Sequence, residues 1–175
     1  LLRHGFSARD QPTRVEAFVA RRLRHLAVPR DARQAQNPVA RTPEGLARAR
    51  GHFADHCASC HGNDGRGRTK LGQSLYPKAP DMTLADTQGL SDGEIFYIIE
   101  NGVRLTGMPA WGVTHDDEAI WGLVAFLQQL PTMDATAYAA FTQDKGEADH
   151  DHGGTGHDSD GPVAAAGATM GESAV

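Results

Sequence analysis

Apolar residues recur at helical spacing in four stretches of the chain. Over residues 13–27, Val15, Phe18, Val19, Leu23 and Leu26 form one stripe, and Arg14, Arg21, Arg22 and Arg24 lie on the other side. Thr13, followed three positions later by Glu16, is a capping box that starts this helix, and Pro29 stops it. Such a helix suits two settings: packed by its stripe on its own domain with the basic face in water, or laid on an anionic membrane surface. Thr42-Pro43-Glu44 opens a second helix with an N-cap, a proline at the first position and an acid in the first turn. It runs to about His56, with Leu46, Ala49 and Phe53 sharing a face. Ser91 and Glu94 form another capping box for a helix ending at Asn101, with Ile95, Ile98 and Ile99 inside and Gly102 beyond its end. The last strong helix covers about Asp116 to Leu130, acidic at its start and lined by Ile120, Leu123, Val124 and Leu127. A short helical piece is expected near 134–141. No run reads as a strand, so the expected class is all-α.

The segments between these helices differ in kind. Residues 30–41 are polar and irregular and read as a linker. Residues 62–90 form a long Gly- and Pro-rich loop, and a loop of that length usually carries function. Residues 142–175 hold few large apolar side chains, too few to offset ordering entropy, and are expected to be disordered. The division is therefore 1–41, a basic extension with one amphipathic helix; 42–141, the folded domain; and 142–175, the tail. Only 39% of residues are apolar, and no run approaches the roughly 20 needed to span a bilayer. The net charge of -5 hides an uneven distribution: 11 Lys/Arg against 4 Asp/Glu over 1–52, 5 against 11 over 53–141, and 1 against 7 over 142–175. No nucleic-acid partner is expected.

The chemistry is concentrated in Cys57-Ala58-Ser59-Cys60-His61, the spacing by which a haem is attached covalently. On one helical turn the two sulfurs project to the same side, where they meet the two vinyl groups of one porphyrin. His61 then lies under the iron as its proximal ligand. Three other readings of the cysteine pair compete. A thioredoxin-like redox pair wants a βαβ context that is missing. A zinc site wants a second Cys/His pair, and these are the only two cysteines. A disulfide would close a loop too short to constrain much.

A second axial ligand decides what such an iron does. Met82, Met108, Met133 and Met170 are the thioether candidates, beside the spare histidines. Met108 stands in Thr106-Gly107-Met108-Pro109-Ala110-Trp111-Gly112, where glycine permits close backbone approach and proline fixes chain direction. Met82 and Met133 read as core gap-fillers. His52 and His56, at i and i+4, have a spacing that also binds metal, and read as surface residues beside the haem. His150, His152 and His157, interleaved with aspartates, read as part of a soluble tail whose composition can also chelate metal.

Taken in order, helix, Cys-x-x-Cys-His-Gly, long loop, helix, Gly-Met-Pro-x-Trp-Gly and final helix, residues 44–131 resemble the class I cytochrome c domain. The branch they resemble most is that of cbb3-type oxidase subunit III and dehydrogenase-associated cytochromes. The resemblance implies a compact fold of three to five helices around one haem c, bound through Cys57 and Cys60 and ligated by His61 and Met108. It pairs Phe53 with Phe126 at a helix crossing and gives the proximal histidine a proline carbonyl as partner, Pro77 or, by preference, Pro80. Trp111 and Arg104 fall beside the haem propionates, although Arg104 reads equally well as a solvated surface residue. The implied role is single-electron transfer between transient redox partners, as a carrier or within a membrane oxidase or dehydrogenase complex, rather than enzymatic turnover. A peroxidase or gas sensor with a labile sixth ligand is the alternative. Haem is attached to such motifs outside the cytoplasm, so the expected location is the periplasm. Export is expected to depend on a segment upstream of Leu1, with a membrane anchor there as one form.

Overall fold

The computed structural model describes residues 7–133. The helix expected at 134–141 and the tail at 142–175 lie outside them. Among the described residues every regular element is helical: α1 (Arg14–Ala27), α2 (Arg30–Gln34), α3 (Pro43–His56), α4 (Ala58–His61), α5 (Lys70–Ser74), α6 (Ala85–Gln88), α7 (Asp92–Asn101) and α8 (Asp117–Leu127). Single 3-10 turns follow at Trp111–Val113 and Leu130–Thr132.

The helix starts are where the side chains demand them. Thr13 Oγ1 accepts the Glu16 N–H at 3.2 Å, and the Glu16 carboxylate accepts the Thr13 N–H at 2.7 Å. Ser91 and Glu94 repeat the arrangement at 3.2 and 2.9 Å. Thr42 and Asp116 cap α3 and α8 by accepting the N–H groups of Gly45 and Ala119. Each cap satisfies an N–H that the helix leaves without a partner, worth about 1 kcal/mol.

The core is the crossing of α3 and α8, with α7 packed against α8. Phe53 and Phe126 meet there with ring centroids 5.2 Å apart. Ile120, Val124 and Phe126 are sealed from solvent, and each contributes about 1.5–3 kcal/mol by leaving water. Phe96 stacks on Trp121 at 4.2 Å, joining α7 to α8. Met82 and Leu130 are buried in the same cluster, and Met133 packs against it.

Two expectations for the N-terminal region are corrected. Residues 30–41 are not a free linker. Helix α2 sits on the start of α7, where a side chain on Gly93 would overlap the Ala32 carbonyl oxygen. The Ser91 hydroxyl donates to the Arg33 carbonyl at 2.9 Å, and the Asn37 amide donates to the Trp121 carbonyl at 2.8 Å. This docking runs through backbone groups and a glycine, so it leaves no apolar periodicity. For helix α1, the setting in which its apolar stripe packs on the domain is the one corrected. Its polar side meets the domain: Arg21 pairs with Asp86 at 2.7 Å, and His25 Nδ1 donates to the buried Glu94 carboxylate at 2.8 Å. The apolar stripe faces outward, with Leu23 60% and Leu26 73% exposed. The domain offers α1 carboxylates rather than an apolar groove, and the arginines follow them.

The segment 62–90 also departs from a plain loop, since α5 and α6 lie in it. Helices of five and four residues are too short to show a period. Among the described residues no helix is long and apolar enough to cross a membrane.

Candidate functional site

Helix α3 delivers the cysteine motif directly. Cys57 ends α3, its N–H bonded to the Phe53 carbonyl at 2.9 Å, and at the same time begins α4. The His61 N–H returns to the Cys57 carbonyl at 3.0 Å, so both cysteines and the histidine lie on one turn. The sulfurs are half-buried and not bonded to each other. Burial, with Cys60 adding, pushes the Cys57 thiol up to about 12. A redox-active dithiol needs its attacking thiol lowered, so the environment opposes thioredoxin-like chemistry.

Burial pushes the His61 imidazole below its ordinary pKa, and the Pro80 backbone opposes that shift. Its Nδ1 is sealed from solvent and makes no hydrogen bond of ordinary geometry. A neutral imidazole is the form a metal requires. The loop after His61 closes on the motif from behind. Gly67 N–H donates to the His61 carbonyl at 2.6 Å, and Thr69 Oγ1 donates to the Cys60 carbonyl at 2.9 Å. The Ala79 N–H donates to the Gly72 carbonyl at 2.9 Å, which carries the chain to Pro80. Gly72 lies so close to the motif that a side chain there would overlap the Cys60 carbonyl oxygen.

Met108 is held on a second loop. Its N–H bonds to Thr106 Oγ1 at 3.1 Å, and its carbonyl accepts the Val103 N–H at 3.2 Å. A side chain on Gly107 would come within 2.8 Å of Leu75, so the glycine lets this loop approach the loop behind His61. Met108 itself is half-buried against the core. Leu105, at the tip, has a left-handed φ of 64°.

Trp111 packs its ring edge-on to His56 at 5.9 Å and to His115 at 5.1 Å. Arg104 is exposed and makes no hydrogen bond or ion pair with another described residue. The structure thus gathers Cys57, Cys60, His61 and Pro80, sets Met108 and Trp111 on an adjoining loop, and leaves Arg104 in water. One residue escaped the sequence reading. His115 lies between helices with no periodic context, yet its ring is 4.6 Å from that of His52. Burial, with His115 and His56 adding, lowers the His52 pKa.

These groups fit a covalently held haem. Two unbonded thiols share a turn with a neutral imidazole that has the Pro80 backbone beside it and a buried, unpaired Nδ1. A thioether is fixed on a neighbouring loop. Residues 44–127 match the family model for cytochrome c oxidase, cbb3-type, subunit III. The helical architecture and the motif order agree with that match, and the segment 44–127 is a cytochrome c domain belonging to this family.

Proposed function

We propose that the chain transfers single electrons through one haem c, held by Cys57 and Cys60 with His61 and Met108 as axial ligands. When bound, the haem supplies an Fe(II)/Fe(III) couple. The observation that supports this reading most is the buried, neutral His61 on the turn that carries both cysteines. The protein's residues do the rest. The Pro80 backbone orients the His61 ring, which steadies its basicity. The loop from Gly62 to Met82 would shield the haem from water on the His61 side, and Thr106, bonded to the Met108 N–H, would hold that residue's loop in place so that its thioether could serve as the second ligand.

We assign the protein to the bacterial periplasm, as a mobile carrier or as the cytochrome subunit of a respiratory oxidase, a role consistent with the family. Residues 53–141 carry 11 acids against 5 bases, which favours a partner with a basic docking patch. The deciding experiment is the absorption spectrum of the oxidised holoprotein. A methionine-to-iron charge-transfer band that is lost in Met108→Ala is expected. A native high-spin spectrum that binds carbon monoxide at once would overturn the carrier in favour of a haem enzyme or sensor. Electron-transfer rates with the partner should fall as salt rises, and rates indifferent to ionic strength would remove the docking argument.

A further inference from the structure

A cluster outside the haem ligand set has the composition of a metal centre. His52 and His56 lie one turn apart on α3, and His115 comes from the chain just before α8, so that one ring nitrogen of each lies within 4.8 Å of the others. We propose that His52, His56 and His115 bind a divalent transition-metal ion of the zinc(II) or copper(II) class, at a site separate from the haem iron.

Three observations carry this independently of the spacing. His52 Nε2 is sealed from solvent and has no hydrogen-bond partner. An unpaired buried nitrogen of this kind destabilises the fold, and coordination removes that cost. His115 Nδ1 is taken by the Thr114 hydroxyl at 2.7 Å, and the His115 backbone N–H donates to the Trp111 carbonyl at 3.0 Å. The side-chain contact orients the ring and leaves Nε2 available as the ligand atom, which is how metal-bound histidines are usually held. His56 is exposed, and its ring already stands 4.8 Å from that of His52 and 5.2 Å from that of His115. Metal–nitrogen bonds of about 2.0–2.1 Å bring ligand atoms nearer to one another than they now stand, and rotation of His56 supplies part of that closure.

The donor set also selects the ion. Three imidazoles without a thiolate suit zinc, copper or nickel, and offer little to calcium or magnesium, which take oxygen ligands. The three histidines line one open cleft together with Trp111 and Asp116. Such an ion would clamp α3 to the start of α8 across the Phe53–Phe126 crossing, and binding to the folded state alone raises stability by mass action.

The test is zinc titration of the full-length holoprotein by calorimetry, with thermal midpoints read in parallel. The tail histidines are a competing source of binding, so His150, His152 and His157 are first replaced together by Asn. In that background one zinc per chain and a raised midpoint are expected, and His56→Gln or His115→Gln should weaken binding at least tenfold. An unchanged haem spectrum in each variant confirms that the fold is retained. Zinc binding that disappears with the tail histidines, or that persists undiminished in both His56→Gln and His115→Gln, would overturn the site.

Discussion

Gly72→Ala sets two effects against each other. Alanine is favoured over glycine in a helix by about 1 kcal/mol, so propensity alone predicts stabilisation of α5. The built side chain, however, overlaps the Cys60 carbonyl oxygen and lies 3.0 Å from both the Gly67 oxygen and Ala79 Cβ. Two of those three obstacles are backbone, which cannot swing aside. Relief therefore requires α5 to move off the turn that carries the two cysteines. That movement breaks or stretches the bonds from Thr69 Oγ1 to Cys60, from Gln73 Nε2 to the Gly67 carbonyl and from the Ala79 N–H to Gly72. At about 1 kcal/mol each, their loss outweighs the propensity gain and leaves a net cost of about 2 kcal/mol. Gly51 is the control, because it lies inside α3 with nothing within 4 Å of the added carbon. Gly51→Ala should raise stability by about 0.5–1 kcal/mol. The assay is denaturant unfolding of the two holoproteins beside the parent, with the haem spectrum monitoring the His61 side. If Gly72→Ala proves as stable as Gly51→Ala, the loop does not bear on the motif as described.

Other substitutions probe separate parts of the molecule. Phe126→Ala should cost about 3–5 kcal/mol in chemical unfolding, since Phe126 is 2% exposed and faces Phe53 at the central crossing. Leu105→Asn should stabilise by up to about 1 kcal/mol, because the leucine has a left-handed φ of 64° and is 92% exposed, so no packing is lost; a lowered denaturation midpoint would count against it. Burial pushes the Glu94 carboxyl up, but the Ser91 N–H and the His25 ring outweigh burial and hold its pKa below the usual carboxylate range. A depressed folded value means its contribution is complete above that range and lost as pH falls through the folded value. Glu94→Gln should therefore cost about 1–2 kcal/mol at neutral pH, and the gap in thermal midpoint between variant and parent should close in acid.

What was legible in the sequence was mostly local. Thr13–Glu16 and Ser91–Glu94 act within one turn, so their capping boxes appear as written. The Cys-x-x-Cys-His motif is equally local, and Phe53 is visible because it shares a helical face with Leu46 and Ala49. What stayed hidden depends on partners distant in sequence. Gly93 matters only because Ala32 lies on it, and Gly72 only because Cys60 does. His115 gains meaning from α3. The stripe of α1 was read correctly as amphipathic, but which side docks was set by Asp86 and Glu94, more than sixty positions away.

The orientation of α1 also separates two quantities that usually go together. Val15, Leu23 and Leu26 are mostly exposed already, so exchanging them for polar residues forfeits little of the folding free energy of this domain. Their cost is felt as colloidal behaviour instead, in the tendency of one molecule to cling to another surface. The helix is anchored by charge and adhesive by its other face, and the free energy held in that face is realised only against something other than the domain that carries it.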